Sequence, residues 1–221
     1  MKKCIILLFE GYDGEFLFSL LQRHPSVIEA NRSSEMITSN NAILLFAHPS
    51  NPATNGSKTE LKKHTTFQIA RNRSTICKAI SENIDEYLYV VLRDTDGAIT
   101  PEEQSPINTE ITTAFNKARC EGGLHIHYVH QMIENWYISG LLPEHFNDSK
   151  YMKHSMKNTL LEKINAEKYA GAKVLIDDNI SSAYLGKKIT ANLMGRILDI
   201  ESARRRSKSF KNYIEFLEAY L

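Results

Sequence analysis

Apolar residues along this chain gather into two kinds of run. Residues 4–9 (CIILLF), 42–47 (AILLFA) and 87–92 (YLYVVL) are short and apolar at every position. A strand reads that way when helices cover both of its faces. Residues 124–129 (LHIHYV) form a further strand behind a Gly-Gly turn. Between these runs the apolar spacing opens to three and four. Phe16, Leu17, Leu20 and Leu21 share one face of a helix over 15–22. Residues 65–84 and roughly 107–120 read as helices as well, and Pro143 closes another that follows the 124–129 strand. The stretch HPSNPATNGSK after residue 47 is a loop. Strand and helix alternate, which predicts an α/β fold with a mainly parallel sheet flanked by helices. Beyond residue 143 the chain turns polar and mostly helical, with one short strand predicted at AKVLI, 172–176. The expected division is an α/β core over 1–143 and a helical C-terminal extension over 144–221.

Composition narrows the class little. The 221 residues are 42% hydrophobic and 24% charged, with a net charge of +1. Bulk charge therefore recruits neither nucleic acid nor an anionic membrane. The three cysteines, Cys4, Cys77 and Cys120, form no CxxC pair and no ligand cluster. They read as free thiols suited to a reducing cytoplasm. The opening MKKCIILLFEGYD has two lysines before an apolar run, but Glu10 ends that run too early for a signal peptide. No apolar segment approaches the roughly 20 residues of a membrane span, so a cytoplasmic protein is expected.

The acids carry the chemistry. Glu10 follows the first strand, Asp94 and Asp96 follow the 87–92 strand, and Glu134 lies just past the 124–129 strand. In an open parallel sheet the carboxyl ends of the strands form one edge, where ligands bind. Asp94 and Asp96, two apart on extended chain, point the same way. Each acid alone has an ordinary explanation as a helix cap or a turn. Together they repel unless a cation joins them, and a carboxylate set of this kind suits Mg²⁺ or Mn²⁺ with a phosphate substrate.

At these residues the chain resembles a known family. IILLFEGYDGEFLFSLL is similar to the first motif of TOPRIM-type domains, a glutamate after the first strand, and YLYVVLRDTDG is similar to their DxD motif. VHQMIENWYISG and the segment from YLGKKITANLMGRILDIESARRRSKSFKNYIEFL resemble a group of small, poorly characterised bacterial TOPRIM-like proteins. The shared positions are Glu134 and Trp136, Tyr184 and Lys187, and Ser207, Ser209 and Phe210. The resemblance implies a TOPRIM-like fold and Mg²⁺-dependent phosphodiester cleavage of DNA or RNA. It also implies a role in antiphage defence and gating by an ABC-type or AAA-type ATPase partner. By the same resemblance Glu10 is an acid/base or metal ligand, Asp94 and Asp96 hold the metal, Glu134 completes the site and Lys187 contacts the phosphate. The first motif departs from a run of acids, reading Gly-Tyr-Asp-Gly, which leaves a second metal position open. A second copy of the chain is a further candidate partner.

Other signals are weaker. Arg204, Arg205, Arg206, Lys208 and Lys211 form a basic run able to neutralise nucleic-acid phosphates, or else a solvated helix start. Residues 61–74 are a second basic stretch. His125, His127 and His130 suggest zinc, but buried or hydrogen-bonded histidines fit a strand better; Trp136 and Tyr137 read as helix packing. RDTDGAIT also looks like the nucleophile motif of haloacid-dehalogenase-type phosphatases, with Asp94 attacking phosphate. In that alternative Asp177 and Asp178 would end a metal-binding strand. A non-catalytic subunit that binds an ATPase is the remaining reading.

Overall fold

The computed structural model describes residues 2–9, 13–47, 61–81, 83–95, 100–146, 167, 169–179 and 182–221, with 146, 177–179 and 182–188 described by backbone alone. Six strands form one sheet in the order β2-β3-β4-β1-β5-β6. They are β1 (Lys2–Leu8), β2 (Val27–Asn31), β3 (Met36–Ser39), β4 (Ala42–Ala47), β5 (Ile84–Asp94) and β6 (Gly123–Val129). β4, β1, β5 and β6 run parallel, with Leu8 of β1 opposite Ala47 of β4 and Val91 of β5. β2 and β3 are an antiparallel hairpin laid on the edge of β4. The α/β fold with a mainly parallel sheet is thus as the apolar runs predict. The hairpin carries no such signal, because β2 is an edge strand that leaves Ile28 63% exposed.

Residues alternate faces along each strand. Ile5 and Leu7 of β1, Leu88, Val90 and Leu92 of β5 and Val129 of β6 pack on one side. Helices α1 (Asp13–Leu21) and α4 (Ile133–Ser139) cover that side, with the C-terminal helices. Cys4, Ile6, Leu8, Tyr89 and Val91 pack on the other, under α2 (His64–Ile80) and α3 (Pro101–Lys117). α3 starts earlier than expected. Thr100 caps it by accepting from the Glu103 N–H (3.3 Å), Glu103 returns a bond to the Thr100 N–H (2.8 Å), and Pro101 takes the first helical position. The segment TPEE is therefore a helix start and not a loop.

After a short 3₁₀ turn, Pro143–Phe146, come α5 (Ala172–Asn179), α6 (Ser182–Ile197), α7 (Ile200–Arg206) and α8 (Lys208–Glu218). α5 overturns the strand expected at AKVLI. Ala172, Leu175 and Ile176 are buried at helical spacing while Val174 is 64% exposed, a pattern with no period of two. Residues of α5 to α8 share a single apolar cluster with α1 and α4.

α6 lies so close to α1 that a Cβ on Gly195 would stand 2.3 Å from the Phe16 carbonyl oxygen and 2.7 Å from the Ser19 Cβ. Arg23 donates from Nη1 to the carbonyls of Gly195 and Leu198, both at 3.0 Å, closing the end of α6. Gly195→Ala is expected to force the helices apart and cost about 1–3 kcal/mol. The check is a lower urea midpoint at unchanged m-value; an unaltered midpoint would contradict the close packing.

The cysteine reading needs correction. Cys4 of β1 and Cys77 of α2 are joined by a disulfide, with Cα atoms 6.3 Å apart across a sequence separation of 73. Both are fully buried in the layer between sheet and α2. Spacing along the chain does not reveal which element packs on which, so this pair was not legible. Cys120 is a free, half-buried thiol whose Sγ donates to the Phe67 carbonyl (3.5 Å). The argument for a reducing compartment loses two of its three thiols. Among the described residues no helix is long and apolar enough to cross a membrane.

Candidate active site

β1 leads to α1 on one face of the sheet, β5 to α3 on the other, and β6 back to α4 on the first. Neighbouring strands whose connections leave on opposite faces open a crevice at their carboxyl ends. The end of β5 has such a divergence on both sides. Asp94 is its last residue and shares strand parity with Val90 and Leu92, which places it on the α1 and α4 side. The next residue, Thr95, donates its N–H to the Val129 carbonyl (3.2 Å) and accepts from the Gln131 N–H at Oγ1 (2.8 Å). These two bonds tie the start of the β6–α4 connection to the end of β5. Gln131 itself takes a left-handed conformation, φ +67°.

Asp13 opens α1, and Glu134 lies in the first turn of α4. Carboxylates at helix N-termini are favoured by the helix dipole, and that alone would account for each. Tyr137, one turn into α4, is buried, and burial pushes its phenol well above the usual value, with a smaller push in the same direction from the carboxylates of Asp13, Glu134 and Asp94. Tyr213 of α8 is raised by burial and again by Asp13.

Asp94 thus ends β5, Glu134 lies in the first turn of α4, and Asp13 in the first turn of α1. Asp13 was not among the candidate acids of the sequence; its place between Glu10 and the α1 apolar face was the available signal. Glu10 and Asp96 lie outside the described residues. Lys187 lies in α6, its side chain outside them. Among the described residues no group of three His, Cys, Asp or Glu stands close enough to hold a metal ion. The donors present are hard carboxylate oxygens, and that chemistry fits Mg²⁺ or Mn²⁺ rather than zinc. Asp177 and Asp178 belong to α5 and not to a strand end, which removes the second acidic strand of the phosphatase alternative.

The basic run is built into the fold. Arg204 pairs with Glu218 and, at 3.6 Å, with Glu201. Arg205 donates to Ser202 Oγ (3.0 Å), and Arg206 donates to the carbonyls of Ser139 (3.4 Å), the last residue of α4, and Leu141 (3.0 Å) just beyond it. Lys211 sits 3.8 Å from Glu215, one turn along α8, and the Lys208 backbone N–H donates to Glu167 (3.0 Å). The arginines thus knit α7 to α4 and α8.

The histidines of β6 face α8. His125 stacks on Phe216 with ring centroids 4.0 Å apart, and His127 Nε2 lies 3.1 Å from the Ser209 carbonyl, beside the rings of Trp136 and Tyr213. Burial lowers both, His127 to about 4. A folded value below the ordinary 6.5 means the unfolded chain binds more protons between the two values. Stability is then complete above about pH 6.5 and falls progressively toward pH 4. Thermal unfolding across that window should show the fall, and His127→Gln should flatten it. An unchanged slope in the variant would contradict this assignment.

No protein-family model, curated protein or solved structure matches this chain.

Proposed function

We propose that the chain is a TOPRIM-like, Mg²⁺- or Mn²⁺-dependent nuclease that hydrolyses phosphodiester bonds in DNA or RNA. The observation that carries this reading is the placement of Asp94 at the end of β5, at the strand divergence, with Asp13 and Glu134 in the first turns of the helices that follow β1 and β6. Carboxylates so placed suit a divalent cation and a phosphate better than a neutral ligand. Asp94 and Asp96 would hold the cation with Glu134. When bound, the cation supplies polarisation of the phosphate and a more acidic water. Glu10, directly after β1, takes or gives the proton. Tyr137, kept protonated chiefly by burial, remains a hydrogen-bond donor at neutral pH. Lys187 is assigned to the phosphate by the resemblance alone, as are a defence role and an ATPase partner that gates cleavage.

Calorimetric titration of Mn²⁺ into the wild type and an Asp94→Asn/Asp96→Asn double variant tests the site. Binding by the wild type alone is expected, followed by cleavage in a screen of DNA and RNA substrates with Mn²⁺. Binding by neither protein would sink the nuclease and favour the non-catalytic, ATPase-binding subunit.

A further inference from the structure

The sheet ends at β2 on one side and β6 on the other, each paired along one edge only among the described residues. The two ends differ in kind. β2 is five residues long and carries an exposed glutamate, Glu29, at its centre. Two such strands paired antiparallel about that residue would set carboxylates face to face, one of the ways a sheet edge is kept from joining another. β6 has no such guard. It runs seven residues without a charge or a proline. Gly123 to Tyr128 are all partly exposed, whereas β1 is buried from Cys4 to Leu8.

β6 is also complementary to itself. A two-fold axis at Ile126 sets Leu124 opposite Tyr128 of a second copy, and His125 opposite its His127. Aliphatic–aromatic pairs of this sort stabilise antiparallel strands. Both histidines are neutral near pH 7, because burial lowers them, so like charges do not meet. An interface built on a two-fold axis needs this property, since each copy must fit the same surface on the other.

α8 adds matching charge beside the strand. Around this helix Phe210 and Tyr213 face Trp136 of α4, and Glu218 faces Arg204 of α7. Ser209 and Tyr213 lie on His127 of β6, and Phe216 lies on His125. Lys208, Asn212 and Glu215, at helical spacing, share an exposed stripe next to the side that rests on β6. Because its first turn lies at His127 and its later turns at His125, α8 runs antiparallel to β6. Asn212 is thereby level with Ile126. The axis at Ile126, normal to the sheet, lays the two α8 helices side by side and antiparallel. Lys208 of each copy then faces Glu215 of the other, a reciprocal pairing of opposite charges. We propose that the chain forms a homodimer in which two β6 strands pair antiparallel about Ile126, joining the two sheets into one. The candidate acids follow the carboxyl ends of the strands, so the two sites would face opposite edges of the joined sheet. The dimer does not depend on the nuclease reading.

Sedimentation velocity of the full chain tests the association. Monomer should give way to dimer over about 1 to 100 µM, the range expected of a small interface. Hydrogen exchange across the same range should slow at the Gly123–Val129 amides and stay unchanged at β2. Lys208→Glu should weaken the dimer about tenfold, because the symmetry counts each lost ion pair twice. Glu215→Lys should weaken it similarly, and the two changes together should restore it. Both residues are exposed, and an acid at the first position of α8 suits the helix dipole, so the fold survives these changes. A monomer at every concentration would overturn the assignment. So would a dimer protected at β2 or at neither edge, or charge variants that associate as the wild type does. A monomer whose β6 amides are already protected at the lowest concentration would overturn it too, and would show the edge covered within the chain.

Discussion

Asp94→Asn is expected to reduce Mn²⁺-supported phosphodiester cleavage by about a thousandfold or more, the scale on which single electrostatic groups act in catalysis. Asparagine keeps the shape of the side chain and removes its charge, so the variant tests charge rather than packing. Asp94 ends β5, on the α1 and α4 face of the sheet. The substitution is nearly isosteric, so the urea midpoint should change little. Cleavage lost at undiminished stability is the combination that a metal-holding role predicts. Retained cleavage would refute it, and a large drop in stability would show that Asp94 serves the fold.

Trp136→Ala is expected to remove about 3–5 kcal/mol of folding stability. The side chain is fully buried where α4, β6 and α8 meet. Its ring lies 5.3 Å from Phe210 and 5.4 Å from Tyr213 of α8, and 6.4 Å from His127 of β6. The indole N–H donates to Ser209 Oγ at 2.9 Å. Alanine would leave a cavity that flanking strands and helices cannot close. Trp136→Phe should cost less, about 1–3 kcal/mol, chiefly through the lost hydrogen bond. Equilibrium urea unfolding of both variants is the check; a loss under about 1 kcal/mol for the alanine variant would mean that α8 does not seal this corner. Because Glu134 lies two residues before Trp136 on the same helix, cleavage should fall in the alanine variant as well. The basis of that fall is displacement, and the phenylalanine variant should largely recover it.

The strands β1, β4 and β5 were legible because burial on both faces leaves an unbroken apolar run, and little else produces one. The edge hairpin β2–β3 was not, since an exposed strand needs no apolar face. AKVLI was ambiguous for a related reason: five residues with apolar ends satisfy a strand, and only the core beneath α5 shows that Ala172, Leu175 and Ile176 form the buried stripe. For the candidate site, the sequence singled out Asp94 and Glu134 by their place after strands. It passed over Asp13, which a helix cap explains equally well.

The basic run shows the converse. Arg204, Arg205 and Arg206 look in sequence like a phosphate-binding stretch, yet in the fold they bind Glu218, Ser202 and two carbonyls at the end of α4. Charge is visible in a sequence, but whether it faces solvent depends on what lies opposite. By itself the sequence determined the α/β class, the parallel strands and the acids at their ends, all of which follow from periodicity along the chain. Only the tertiary structure decided the Cys4–Cys77 bond, the pairing of the basic run with Glu218 and the α4 carbonyls, and a recess between α1, β4 and α6. Each of these depends on which elements pack together, and such pairing arises from burial summed over the whole chain rather than from any local pattern.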